Sequence, residues 1–71
     1  MNNDSFSFTV YMIHELARAW KILPTAVYAR LEESNCISDF LVKDYDVLHT
    51  MSTDTVVRDI EQYLQAREVS V

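Results

Sequence analysis

Glycine is absent from the chain, and proline occurs once, at Pro24. Glycine supplies the positive φ of hairpin turns and of tight phosphate-cradling loops, so its absence disfavours sheets and nucleotide-binding loops together. A sequence with almost no helix breakers should be mostly helical, its few turns made by Pro24, Asn35 and Ser/Thr/Asp clusters. The single cysteine, Cys36, rules out a disulfide within the chain and gives no argument for an oxidising compartment. Basic residues are scarce: six (Arg18, Lys21, Arg30, Lys43, Arg58, Arg67) stand against eleven acids, for a formal net charge of −5. They are scattered along the chain, so a phosphate backbone would be repelled and nucleic acid is disfavoured as a partner. Long apolar runs are missing as well, the longest being four residues at 10–13 and 26–29, and the opening M-N-N-D-S has no basic region. Neither a signal peptide nor a membrane span is expected, and a cytoplasmic location follows by default.

What is present is apolar content. Seventy-one residues make one domain near the lower limit at which a core holds itself together, burying only about 60% of the surface its unfolded form exposes. With 49% apolar residues the chain is too hydrophobic to be disordered. A small core with an apolar surplus often completes its burial against a partner, so a protein partner and a homodimer are expected.

The spacing predicts four short helices. Phe6, Val10, Ile13, Ala17 and Trp20 recur at 4-3-4-3 and mark the inner face of a first helix running from about residue 4 or 5 to 21, with Asp4 or Ser5 as N-cap. Pro24 suits the first turn of a second helix, with Val27, Tyr28 and Leu31 inward and Asn35 ending it in the left-handed conformation. Ser38-Asp39 reads as the cap and first-turn acid of a third, whose face is Ile37, Phe40, Leu41, Tyr45 and Leu48, flanked by Val47 and Met51. Ser52-Thr53-Asp54 opens a fourth, with Val56, Val57, Ile60, Tyr63 and Leu64 inward and an Asp54–Arg58 pair outside. The tail E-V-S-V after Arg67 has no period. The fold class is therefore all-α, a compact bundle of four helices in one domain.

One stretch, Y-D-V-L-H-T-M at 45–51, gathers an acid, a histidine and a hydroxyl. On a third helix running through it, Asp39, Lys43, Asp46 and Thr50 form the wet stripe while Tyr45 and Leu48 point inward. His49 falls at the boundary, one turn beyond Tyr45 and three residues after Asp46. The prevailing expectation is a boundary histidine tying down a helix end. A catalytic His49 oriented by Asp46 lacks a nucleophile and an oxyanion cradle, and Thr50 is a poor substitute.

The remaining candidates are weaker. Zinc would need His14, Cys36, His49 and a carboxylate, none at a favoured local spacing. Cys36, between Asn35 and Ile37, reads as a buried filler. Trp20 and Tyr11 are possible partner anchors, but helical spacing favours a place in the core for Trp20. A helix-turn-helix suits short helices with tight connections. Its recognition helix, however, would carry Arg30 beside Glu32 and Glu33, or Lys43 among Asp39, Asp44 and Asp46.

F-T-V-Y at 8–11, I-S-D-F-L at 37–41, Y-D-V-L-H-T at 45–50 and D-I-E-Q-Y at 59–63 together resemble a family of short bacterial proteins classed as a domain of unknown function. The likeness spans nearly the whole chain, and Y-D-V-L-H-T is its most specific piece. Members of that family are often encoded beside a protein resembling an ADP-ribosyltransferase toxin, which implies a regulatory or antitoxin-like partner. Two positions depart from the family pattern: Asn35-Cys36 stands where a glycine is common, and His14 where an acid is common. The family provides no established catalytic residues. The expectation is an acidic, non-enzymatic interaction module without cofactor or metal, whose candidate residues are Tyr45, Asp46, His49, Thr50 and Trp20. The alternatives are a helix-turn-helix DNA-binding regulator and, behind it, a small hydrolase or transferase using Asp46 and His49.

Overall fold

The computed structural model describes residues 3–67, and the E-V-S-V tail lies outside them. The first helix, α1 (Asn3–Trp20), has Asp4 in its first turn and Arg18 in its last, as the helix dipole favours. With no glycine available to end it, Lys21 takes the left-handed conformation at φ 57°, and the Ile22 N–H returns to the Ala17 carbonyl at 3.1 Å. That is the Schellman closure, with lysine in the position glycine usually fills. Pro24 opens α2 (Pro24–Glu33) and forces Leu23 before it into an extended conformation, so the chain reverses within three residues. Asn35 ends α2 at φ 60°, as the sequence predicts. The Asn35 N–H caps the Glu32 carbonyl, and the Ser34 hydroxyl donates to the Leu31 carbonyl.

The third helix departs from expectation. In place of one continuous helix, a π-helical turn (Ile37–Val42) leads through Lys43 and Asp44 into α3 (Tyr45–Leu48), a single α-helical turn. Among the described residues five helical segments therefore stand where four were predicted, while the all-α class holds. Ser38 is not a cap, because helical backbone already begins at Cys36 and the Asp39 N–H bonds the Asn35 carbonyl. The wider turn is held by three anchors. Ile37 and Leu41 enter the core, and Phe40 stacks on Tyr63 with ring centres 5.4 Å apart. A π-helical turn inside helical structure often accompanies a functional site.

The last helix, α4 (Thr53–Ala66), follows the sequence closely. The Ser52 hydroxyl accepts the Thr55 N–H at 3.3 Å, and Val56, Ile60 and Leu64 are buried with Val57 and Tyr63 packed beside them. No ion pair joins Asp54 to Arg58, contrary to expectation. An exposed pair of that kind would contribute only about 0.3–0.5 kcal/mol.

α1 lies across α2, the π turn and α4, and α3 packs on the π turn. Met12 and Leu16 of α1 meet Val27 and Leu31 of α2, Leu41 and Leu48 of the third region, and the α4 stripe in one core. Its radius of gyration of 10.9 Å is close to the roughly 11 Å expected of a folded chain this long. The predicted inner face of α1 is corrected at its N-terminal end: Phe6 and Val10 face outward and Ser5, Thr9, Met12 and Leu16 are buried, while Ala17 is buried as predicted and Ile13 and Trp20 pack partly buried against the core. Tyr28 likewise lies outside, with Val27 and Leu31 carrying the inner side of α2.

Candidate functional site

Y-D-V-L-H-T-M is a helix terminus. The His49 N–H bonds the Tyr45 carbonyl, the Thr50 hydroxyl donates to the Val47 carbonyl at 2.7 Å, and the Met51 N–H closes on Leu48. Leu48 is buried and Tyr45 half-buried. Asp46 lies on the wet stripe predicted for it, with Asp39, Lys43 and Thr50 exposed alongside. His49 is exposed, and its ring stacks on Tyr45 with centres 4.6 Å apart. Tyr45 in turn meets the Phe8 ring edge-on at 5.5 Å. These three rings fasten the single turn of α3 to α1, a stabilising role for each aromatic pair of about 0.5–1.5 kcal/mol. Neither an ion pair nor a hydrogen bond joins Asp46 to His49, so the acid does not orient the imidazole.

The other singled-out residues are structural ties. The Trp20 indole N–H donates to the Glu61 carboxylate at 2.7 Å, clamping the end of α1 to α4. The Tyr11 hydroxyl pairs with that of Thr53 at 2.8 Å while its ring stays half exposed. His14 Nδ1 donates to the Val10 carbonyl, which satisfies the ring within α1. Among the described residues no three of His, Cys, Asp and Glu come together as a metal-holding group. Cys36 is fully buried, and burial pushes its thiol up to about 12, with nearby Arg67 pulling the other way. The Tyr63 phenol is also raised, by desolvation first, although the Arg67 guanidinium sits 3.9 Å above its ring. The Tyr63 hydroxyl reaches the Ser34 carbonyl, so the end of α4 is fastened to the junction of α2 and the π turn.

What the structure assembles instead is a groove. Phe6, Thr9, Val10 and Ile13 of α1 form one wall, Tyr28 and Glu32 of α2 another, and Ile37 and Ser38 of the π turn close it, around a volume of about 340 Å³. Phe6 is 58% exposed, Tyr28 50% and Val10 38%, so the trough is open to solvent and most of its lining is apolar. Among the described residues Glu32 is its one charged residue. The Thr9 hydroxyl donates to the Ser5 carbonyl at 2.8 Å, so toward the trough it can only accept. None of these residues was singled out as a site from the sequence, where Phe6, Val10, Ile13 and Tyr28 were assigned to the core. The available signal was that α1 bears two adjacent stripes, more apolar width than so small a core can cover.

Comparison with known proteins is sparse. No curated protein and no solved structure matches the chain. Among the described residues no helix is long and apolar enough to cross a membrane. One family model does match, over residues 7–67, a span that contains all four stretches on which the sequence resemblance rests. On that match the chain belongs to the family described as Protein of unknown function (DUF3791).

Proposed function

We propose that this protein is a small, acidic, non-enzymatic interaction module that docks on another protein through the groove between α1, α2 and the π turn. The observation that carries the reading is the clustering of half-exposed Phe6, Val10 and Tyr28 around a single trough. Grouped apolar surface of this kind gains free energy on being covered, at about 25 cal/mol per Å² removed from water. Aromatic side chains at the centre of such a patch are the usual energetic anchors of an interface. The reading as a non-enzyme is supported by the His49 ring, which stacks on Tyr45 with no hydrogen bond to Asp46, and by the Cys36 thiol, which burial keeps protonated and therefore a poor nucleophile.

A regulatory or antitoxin-like role in the cytoplasm is part of the same proposal. A regulator that works by occupying another protein needs a docking face and no reaction centre. The helix-turn-helix alternative is less well supported, because its third helix would be a π-helical turn and one α-turn with Asp39, Asp44 and Asp46 exposed.

Co-purification of the tagged native protein with the product of its adjacent gene tests the proposal. The partner should be retained by the wild type and by Asp46→Ala, and lost with Tyr28→Asp in a chain that keeps its helical circular dichroism. Retention by Tyr28→Asp together with loss in Asp46→Ala would place the working surface on α3 and reject the groove.

A further inference from the structure

We infer that the occupant of the groove is an amphipathic helix with basic residues along its edge, an inference that rests on the docking reading above. Shape and charge both contribute. The α1 wall runs from Phe6 to Ile13, about 10 Å at 1.5 Å per residue. An incoming helix presents its i, i+4 and i+7 anchors over that same length. The trough is too open to enclose a small molecule, and the side-chain polar groups on its described lining are those of Thr9, Tyr28, Glu32 and Ser38, with the Thr9 proton already committed to the Ser5 carbonyl.

Charge then selects the partner's edge. Among the described residues no cation lines the groove, Glu32 stands on its wall, and the whole chain carries −5. Arg30, on the same helix, lies two residues from both Tyr28 and Glu32, about 200° around the axis from each, and its guanidinium donates to the Ala26 carbonyl. A second copy of this chain would bring like net charges together and add its own Glu32. A lysine- or arginine-edged helix would place opposite charge there.

Two labelled synthetic helices provide the test, one with leucine at the anchor positions and lysine on the flanks, the other with glutamate replacing each lysine. Each is titrated with the full chain and followed by fluorescence anisotropy. The lysine helix should bind at least about tenfold more tightly than the glutamate helix. Phe6→Ala and Tyr28→Ala should each weaken it by about tenfold, since both remove exposed anchors. Glu32→Lys should reverse the preference between the two helices, whereas Asp54→Asn, which removes a charge that does not line the groove, should alter it by less than about twofold. Thermal melts of every variant establish that the fold is retained.

Equal binding of both helices, lost in Tyr28→Ala, would keep the groove and overturn the basic partner. Binding indifferent to Phe6→Ala and Tyr28→Ala would overturn the groove as well. Failure of the lysine helix to bind at millimolar concentration would reject the proposal outright. A dimer of the free chain that dissociates on Val10→Asp would also reject it, by assigning the groove to a second copy.

Discussion

Two stripes run side by side along α1, one residue out of step. Ser5, Thr9, Met12 and Leu16 are buried, while Phe6 and Val10, each one position further on and so about 100° around the helix, face solvent. At the N-terminal end the polar pair is inside and the aromatic outside, the reverse of what hydrophobicity alone dictates. Burial of Thr9 is tolerable because its hydroxyl is bonded within the helix, so no donor is left unmatched. Toward the other end the outer stripe turns under cover. Ile13 and Trp20 are half-buried and Ala17 buried, in keeping with the drift of about 20° per heptad that a 4-3 stripe makes on a straight helix. A helix buries the stripe its neighbours can reach, even where that stripe begins with Ser5 and Thr9, and the apolar stripe beside it stays exposed at Phe6 and Val10.

The largest expected effect breaks the inner stripe. Leu16→Ala should cost about 2–5 kcal/mol in a urea melt, because a cavity in so small a core has little room to collapse. Against a typical total of about 5–15 kcal/mol that is a large share of the stability. A cost below about 1 kcal/mol would mean that Leu16 does not carry the core contact assigned to it.

A smaller effect separates packing from chemistry at the end of α3. His49→Ala should lose about 0.5–1.5 kcal/mol by removing the stack on Tyr45, and Asp46→Ala should stay within about 0.5 kcal/mol of wild type. Double-mutant cycles with Tyr45 check the assignment. Coupling to His49 and none to Asp46 is expected, and coupling between Asp46 and His49 would restore the pairing that the structure lacks.

The alkaline limb of stability sharpens the contrast from the buried side. The Cys36 thiol is raised from 9.0 to about 12 in the folded chain. Its contribution is therefore fully present below pH 9 and declines between pH 9 and about 12, where the unfolded chain releases a proton that the folded chain retains. Relative to wild type, Cys36→Ala should show a flatter stability profile across that window, measured by denaturant midpoints at stepped pH. An unchanged slope would place the thiol in contact with water.

Much of the fold was legible because local chemistry determined it. Pro24, the Ser52 cap and left-handed Asn35 each act through their own backbone or that of near neighbours, and Val56, Ile60 and Leu64 lie on a helix with one dominant apolar stripe. The π turn was hidden because Ile37, Phe40 and Leu41 also fit an α-helical spacing. It is the stack of Phe40 on Tyr63, a contact between distant parts of the chain, that accompanies the wider turn. Lys21 was unreadable for a related reason: its positive φ follows from a reversal that must happen within three residues, whichever side chain is present. The groove was missed because its apolar residues, Phe6, Val10, Ile13, Tyr28 and Ile37, were themselves read as core. The sequence shows a surplus of apolar width on α1 but not which part of it the fold leaves open.

The most direct test is the unfolding free energy of Phe6→Asp, measured by urea titration. If Phe6 belongs to a docking face, the charged variant should unfold within about 0.5 kcal/mol of wild type, as exposed substitutions do. A loss of about 2 kcal/mol or more would mean that a carboxylate had been forced into the core. The 4-3-4-3 spacing would then have identified the buried stripe correctly, and the groove would have no place in the account.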